Sequence, residues 1–507
     1  MTTKILQTHR SVSDASTPAS ASYSWLPISL ILVFATALFT FRLEGEGLWL
    51  DELTSIQDAD LGLWALFKEN QLRPLYYFLL KGWMQFGSSD AWLRSLSVVC
   101  AVISVFLLYK LGRRLMGEAE GLIAALLMSV SPVFINHTQE IRMYILSLCL
   151  ATAGTLFLTE ALLTPRNHPV SSKHLAGWSL FRLLAIYTVP LNVTLLFADA
   201  VLILLRFRRE RAVLVSFGKW LLLLLVLWIP ALLSVIEESA PDSSFAVHHV
   251  SAVPPGPDRL VRSLKFLTVW PFAAQDNAIA ALFYKVFTLL VAGLIGAGLI
   301  RKRPPSALLW VFAWFIIPLM PIVVFSQISI PIWENRYILF VCPYLFILLA
   351  AGLTRLWQEW RIAAVAISAI YLIAVSGGLW HYYTVQDRPD YKFNIETLEQ
   401  YERSGDAIVW SYHYQKPLDH YYDGSSEVYW RTIRDLETAE DIQLWMTQLP
   451  TGYERLWFVL DNTTSLTDEV RAAVTSAYRV EETFDYARGS EILLLNPLKS
   501  SLPNAPS

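Results

Sequence analysis

Long apolar stretches constrain the fold of this chain more than any other feature of its sequence. A helix that crosses a bilayer needs about 20 mostly apolar residues. Hydrophobic residues make up 54% of the 507 positions and charged residues only 16%, against about a quarter in a typical soluble domain. The sequence predicts a polytopic α-helical membrane protein with about eleven spans, at residues 26–43, 91–109, 120–136, 143–161, 177–190, 191–206, 216–236, 279–300, 307–327, 337–354 and 362–381.

Two parts of this assignment have alternatives. Residues 177–206 contain Pro190 between two short apolar stretches, so this region is either two spans or one kinked segment. The first span could instead be a signal anchor or a cleaved signal peptide. Its small-residue pair, Ala35 and Ala37, lies inside the apolar run rather than after it, which favours a retained span.

The distribution of Lys and Arg predicts the orientation. With a cytoplasmic N-terminus, the segments on the inside hold 17 Lys and Arg residues, and the longer segments on the outside hold eight. Cytoplasmic loops are expected to carry this excess, and the clusters at 206–211 and 301–303 are its clearest members. An odd number of spans then places the C-terminal region outside the cytoplasm.

The composition changes at about residue 382. Short apolar stretches at 407–411, 456–460 and 491–495 alternate with helical patterns at 437–447 and 466–478, which is typical of a small α/β domain. The sequence therefore predicts three regions. They are a disordered cytoplasmic N-terminus at 1–25, a transmembrane domain at 26–381, and an extracytoplasmic α/β domain at 382–507.

Charge and cysteine content exclude some classes of function. The net charge is −3 and no basic block is present, so we expect no nucleic-acid partner. The three cysteines lie inside apolar runs without the spacing of metal ligands, and we interpret them as small core residues.

Charged residues beside apolar spans are the candidates for function, because ionisable groups are costly at that depth. The segment 44–90 is acidic, and its Asp51 and Glu52 are flanked by apolar and aromatic residues; a solvated helix cap is the alternative interpretation of that pair. A second polar cluster, 136–144, follows the third predicted span. Glu140 and Tyr144 are four residues apart, so a helix would present them on one face.

These residues resemble the motif series of bacterial family-39-type glycosyltransferases, which belong to the C superfamily of membrane glycosyltransferases. Relatives in that superfamily include protein O-mannosyltransferases, the aminoarabinose transferase of lipid A and lipopolysaccharide galacturonosyl transferases. The resemblance is firmest over residues 45–215. Many relatives have His or Lys before the proline of the second motif, where this chain has Arg73. The four motifs are Trp49-Leu-Asp-Glu52, Arg73-Pro-Leu-Tyr-Tyr77, His137-x-Gln-Glu-x-Arg-x-Tyr144 and Arg336-Tyr337.

The resemblance implies a reaction. The donor would be a polyprenyl-phosphate sugar, and the acceptor a hydroxyl of a lipid, glycan or protein on the extracytoplasmic face of the cell (inner) membrane. The hydroxyl would attack the anomeric carbon while the lipid phosphate leaves from the opposite face, which inverts the configuration. Asp51 would take the hydroxyl proton as general base, and Glu52 would orient the acceptor or adjust the local charge.

The leaving phosphate gains negative charge, so cationic groups should contact it. Arginine suits phosphate because its planar fork stays charged. We expect no cofactor, although a carboxylate-bound divalent ion is left open. The residues that the resemblance assigns to substrate binding are Arg73, Tyr76, His137, Glu140, Arg142, Tyr144, Arg336 and Tyr337.

A transporter or flippase for a lipid-linked or anionic substrate is the competing hypothesis. Such a protein would carry polar groups along a path through the middle of the bilayer. Here the arginines and acids lie at the ends of the predicted spans, and the middle stretches are almost wholly apolar. This distribution favours an enzyme with its site at one membrane interface.

Overall fold

The fold is described from a computed structural model. It covers residues 25–70, 72–165, 168–238, 254–269, 277–300, 305–385, 390–461, 466–486 and 490–497. The prediction of a disordered segment at 1–25 falls, apart from residue 25, outside the described residues.

The N-terminal three quarters of the chain is helical. After the first helix, three short helices (α2 to α4) form the segment 44–90, and long apolar helices follow. The helices of this part are α1 Leu26–Thr40, α2 Leu50–Asp60, α3 Leu63–Glu69, α4 Pro74–Met84, α5 Asp90–Leu115, α6 Glu118–Ser129, α7 Pro132–Thr138, α8 Tyr144–Leu162, α9 Ser172–Ile186, α10 Leu195–Phe207, α11 Arg211–Glu238, α12 Pro257–Val269, α13 Ala278–Leu299, α14 Ser306–Ile316, α15 Leu319–Ile328, α16 Cys342–Glu359 and α17 Arg361–Thr384.

Within the described residues, eight helical segments are long and apolar enough to cross a membrane. The count rises to nine if α6 and α7, which meet at a bend of 64°, form one span. Each of the eleven predicted segments overlaps a helix, but α1 and α9 have only 15 residues each. Residues 177–206 hold two separate helices, α9 and the 3₁₀-started segment Pro190–Phe207. The protein is therefore a multi-pass membrane protein, with eight spans supported by length and composition.

Burial separates central helices from peripheral ones. In α8 and α16, 78% of the most apolar window is buried inside the protein, whereas the figure is 22% in α11 and 28% in α13 and α17. A helix that is apolar all round but packs on one side only would meet water unless lipid covers it. The peripheral helices therefore have the surface expected of a lipid-facing layer around α8 and α16.

The C-terminal region forms a mixed five-stranded sheet with helices, as the alternating pattern predicts. The strand order is β2-β1-β3-β5-β4. Strand β1 pairs in parallel with β2 and β3, and β5 is antiparallel to β3 and β4. The elements are α18 Tyr391–Tyr401, β1 Ala407–Trp410, α19 Lys416–Tyr421, β2 Glu427–Trp430, α20 Ala439–Met446, β3 Leu456–Asp461, α21 Thr467–Ala477, β4 Tyr478–Tyr486 and β5 Ser490–Pro497.

The C-terminal region contacts the segment 44–90 through polar side chains. The Tyr421 hydroxyl accepts a hydrogen bond from the Leu48 amide at 2.8 Å and donates to Asp90 at 3.0 Å. Lys392 Nζ lies 3.3 Å from the same carboxylate. Lys416, the first residue of α19, donates to Thr54 of α2 at 2.9 Å. The α/β region thus fixes the position of α2, which carries Asp51.

Candidate active site

The Asp51 side chain lies at the start of α2 and faces two arginines from distant parts of the chain. Its Oδ2 atom is 3.0 Å from Arg336 Nη1 and 3.5 Å from Arg142 Nη2. The side chain is 30% exposed, so it remains accessible to a ligand. Asp51 lies in the first turn of α2, whereas Arg142 precedes α8 and Arg336 precedes α16.

Arg142 is the buried centre of the cluster. It lies in the non-helical segment between α7 and α8, and its side chain is 8% exposed. Its Nη1 donates to the Asp51 carbonyl and to Ser55 Oγ, both at 3.0 Å. Its Nε is buried and has no hydrogen-bond acceptor within the described residues. A buried guanidinium with a free donor is prepared to bind an anion, because leaving that donor unsatisfied costs free energy.

Aromatic rings surround the guanidinium groups. Arg336 lies 5.4 Å from the ring centroid of Tyr337, and Arg142 lies 5.8 Å from that of Tyr144. The two tyrosine rings are 6.2 Å apart. Cations are attracted to aromatic faces at these distances. Burial raises the pKa of Tyr337, so its hydroxyl stays protonated and can donate a hydrogen bond.

Arg73 supplies a third positive charge to the cluster. It precedes α4 and lies within electrostatic reach of Arg142, Tyr144 and Tyr337. Arg142 is also within reach of Arg336. The structure thus brings together all three predicted arginines around Asp51.

Tyr76 and Asn335 add unpartnered polar atoms near the arginines. The Tyr76 hydroxyl is buried, and so is the side-chain oxygen of Asn335; neither has a hydrogen-bond partner in the part of the chain that the structure describes. Burial raises the pKa of Tyr76 well above its usual value, so the hydroxyl is neutral. Such atoms are suited to contact a bound ligand, because each would gain a hydrogen bond.

Glu52 lies behind the site and is fully buried. Its Oε1 accepts from Arg94 Nε at 3.0 Å and its Oε2 from Arg94 Nη2 at 2.8 Å. The Ile141 amide donates to Oε1 at 2.9 Å. Through these hydrogen bonds, which occupy both of its carboxylate oxygens, Glu52 joins α2 to the segment that carries Arg142.

His137 and Glu140 lie on the same buried segment. Glu140 Oε2 is 2.8 Å from His137 Nδ1, and its Oε1 accepts from Asn136 at 3.1 Å. Glu140 does not lie on a helix with Tyr144, because α7 ends at Thr138 and α8 begins at Tyr144. The chain breaks there because Glu140 and its neighbours make side-chain and backbone contacts to other helices, including Ser97 to the Glu140 carbonyl at 2.7 Å.

The structure adds residues that the sequence reasoning did not single out for the site. Ser55 and Asp58 follow Asp51 on one face of α2, and Arg94 pairs with Glu52. Arg94 could have been noticed as a charged residue at the start of a span. Lys416 could not, because only the folded chain brings α19 to α2.

Asp58 is the second carboxylate on this face of α2. It is partly buried, and burial raises the pKa of its carboxyl group. The positive charges of Lys416, Arg73 and Arg142 act in the opposite direction, because they stabilise the carboxylate. Around Asp51 and Asp58 the cluster therefore holds four cationic groups.

The described residues contain no group of three or more His, Cys, Asp and Glu side chains arranged to hold a metal ion. Asp51, the accessible carboxylate of the cluster, already contacts two arginines. The chemistry that this arrangement supports is anion binding beside an accessible carboxylate.

Comparisons with known proteins agree with the motifs. A family model described as dolichyl-phosphate-mannose-protein mannosyltransferase matches residues 73–234, which include Arg73, Tyr76 and the segment 136–144. A search of curated proteins found no match.

Solved structures share the fold. The apo structure of ArnT from Cupriavidus metallidurans has a TM-score of 0.56 at 13% identity, covering 94% of this chain and 99% of that one. The same protein bound to undecaprenyl phosphate gives 0.54 at 12% identity, with the same coverage.

The oligosaccharyltransferase of Archaeoglobus fulgidus in its apo form gives a TM-score of 0.50 at 10% identity, covering 94% of this chain and 75% of that one. At such identities the likeness establishes the fold, and the family model carries the sequence relationship. The chain is therefore similar to the mannosyltransferase family over residues 73–234, and it shares the overall fold of ArnT.

Proposed function

We propose that this protein transfers a sugar from a polyprenyl-phosphate donor to a hydroxyl of a lipid, glycan or protein acceptor, with inversion at the anomeric carbon. The observation that carries this proposal is the contact of Asp51 with Arg142 and Arg336. A proton acceptor and two phosphate-binding groups lie within one cluster, as such a transfer requires. ArnT, which shares the fold, has been solved with undecaprenyl phosphate bound.

The phosphate would displace Asp51 from the arginines. In the structure Asp51 Oδ2 is the anion that both guanidinium groups contact. A donor phosphate would take over these contacts, because arginine binds phosphate oxygens through its planar fork. The freed carboxylate would then accept the proton of the acceptor hydroxyl. Arg73 would add a third charge to stabilise the leaving phosphate.

The remaining residues would support this geometry. Tyr144 and Tyr337 would hold the two guanidinium groups from their ring faces, and Tyr76 would donate a hydrogen bond to the donor. Glu140 and His137 would hold the segment that carries Arg142, through the 2.8 Å contact between them. No step requires a metal ion, since the arginines neutralise the leaving group.

The location of the site follows from the charge distribution of the sequence. The excess of Lys and Arg on one side of the spans favours a cytoplasmic N-terminus, which would put the cluster and the C-terminal region on the extracytoplasmic face of the cell membrane. The transporter hypothesis gains no specific support. The buried ion pair of Arg182 and Asp199 in the helix bundle makes hydrogen bonds at every polar atom of its two charged groups.

Binding of the lipid phosphate tests the proposal without knowledge of the sugar. We expect the purified protein to bind undecaprenyl phosphate in native mass spectrometry and not to bind undecaprenol. Arg142→Met and Arg336→Met should each abolish most of this binding. Arg114→Met is the matched control, because Arg114 pairs with Glu160 at the opposite end of the bundle. Equal binding of undecaprenol, or undiminished binding by both site variants, would contradict the proposal.

A further inference from the structure

Helix α2 presents two carboxylates to the arginine cluster, and the proposed reaction uses only one of them. Asp51, Ser55 and Asp58 are spaced four and three residues apart, so they lie on one face of the helix. Ser55 Oγ contacts Arg142 at 3.0 Å, which shows that this face is turned towards the arginines. Asp58 is separated from Asp51 by about 10 Å along the helix axis.

The contacts of Asp58 within the described residues do not give its carboxylate a structural role. Within the described residues, its partly buried carboxylate has no hydrogen bond and no ion pair closer than 4 Å. The charged groups facing it are Lys416 of α19, Arg73 before α4, Arg142 before α8 and Glu69 of α3. Asp58 therefore acts on the site mainly through the electrostatic potential of its carboxylate.

The proposed reaction changes the charge of the phosphate group bound in the site. The donor is a phosphodiester with one negative charge. As the bond from the anomeric carbon to the phosphate oxygen breaks, that oxygen keeps the electron pair, and the new bond forms to the acceptor oxygen. The acceptor proton passes to Asp51. The product is a phosphate monoester, whose charge at neutral pH is about −1.5 to −2.

Arginines alone would therefore hold the product more tightly than the donor. The imbalance grows at the moment of transfer, because the proton neutralises Asp51 and removes the carboxylate that opposed the phosphate. A site of this kind would be slow to release its lipid product. Asp58 is the acidic side chain on this face of α2 that keeps its charge through the step.

We propose that Asp58 opposes the charge of the polyprenyl-phosphate product and so promotes its release. This inference rests on the proposed function, since it concerns the phosphate that the arginines would bind. It assigns to Asp58 a role in setting the affinity of the site rather than in bond breaking. Removal of the Asp58 charge should therefore strengthen binding of the polyprenyl phosphate, whereas removal of an arginine of the site should weaken it.

Asp58→Asn tests this role, because it keeps the shape and removes the charge. We expect the variant to bind undecaprenyl phosphate about tenfold more tightly, the order expected for one charge at about 10 Å and an effective dielectric constant of about 20. Inhibition of sugar transfer by undecaprenyl phosphate should strengthen by a similar factor. Since Asp58 makes no hydrogen bond or close ion pair within the described residues, the variant should fold like the parent.

Asp60→Asn is the matched control. Asp60 is an exposed acid on the same helix, but it lies on the opposite face, so its variant should bind undecaprenyl phosphate like the parent. Unchanged or weaker binding by Asp58→Asn would overturn the inference, and so would an equal gain in Asp60→Asn. If Arg142→Met loses binding while Asp58→Asn changes nothing, the inference alone fails. If the parent does not bind undecaprenyl phosphate, both the inference and the proposed function fail.

Discussion

Two clusters in this protein pair an arginine with an aspartate, and they differ in how completely the charges are satisfied. Arg182 and Asp199 lie within the helix bundle, and both side chains are fully buried. Asp199 accepts from Arg182 at 2.7 and 3.1 Å and from the indoles of Trp178 and Trp314 at 2.8 and 2.9 Å.

Arg182 makes two more hydrogen bonds, to the Ala151 carbonyl at 2.6 Å and to Thr155 at 2.8 Å. This cluster joins four helices and leaves no capacity for a ligand. The cluster at Asp51 is not saturated in this way, because it holds more cationic than acidic groups. Arg142 Nε is unpartnered among the described residues, and the Asp51 side chain is 30% exposed. Saturated charges hold a fold together, whereas an accessible excess of one sign prepares a site for a ligand.

Removing the carboxylate from each cluster should separate the two roles, and the largest effect on activity is expected at Asp51. Asp51→Asn keeps the size of the side chain but cannot accept the acceptor proton. Transfer of sugar from a polyprenyl-phosphate donor should fall by about 10²–10⁴, the usual range for loss of a general base, while the thermal stability stays near that of the parent. Transfer at the parent rate would show that Asp51 is not the base.

The equivalent change in the buried cluster should act on folding. Asp199→Asn leaves the Arg182 guanidinium buried without a counter-charge, and breaking a buried pair in this way costs about 3–5 kcal/mol. The expected result is a large fall in the yield of folded protein and in its thermal stability in detergent. The double variant Arg182→Met, Asp199→Leu removes both charges and should recover much of the loss. A stable Asp199→Asn protein with impaired transfer would instead assign this pair to the reaction.

The sequence predicted the helical regions well because hydropathy reports directly on burial in lipid. It also predicted that Asp51, Arg142 and Arg336 would share one end of the bundle, since Lys and Arg counts order the loops. The sequence could not predict that both carboxylate oxygens of Glu52 are hydrogen-bonded, because its partner Arg94 is 42 residues away along the chain.

Local pattern also failed where tertiary contacts decide the backbone. The spacing of Glu140 and Tyr144 is compatible with a helix, but the segment between α7 and α8 is held open by contacts such as Gln139 to the Phe39 carbonyl at 2.9 Å. Similarly, the three predicted spans not among the eight long helices are short or bent, because Pro132 interrupts one and two end after 15 residues.

The central claim is that the accessible arginines at Asp51 bind the lipid phosphate, and a structure of the protein with undecaprenyl phosphate tests it most directly. We expect phosphate oxygens within hydrogen-bond distance of Arg142 and Arg336, with Asp51 released from both. We expect no change in the contacts of Arg182 and Asp199. A phosphate bound elsewhere, with Asp51 still paired to Arg336 at 3.0 Å, would show that these arginines do not bind the lipid phosphate.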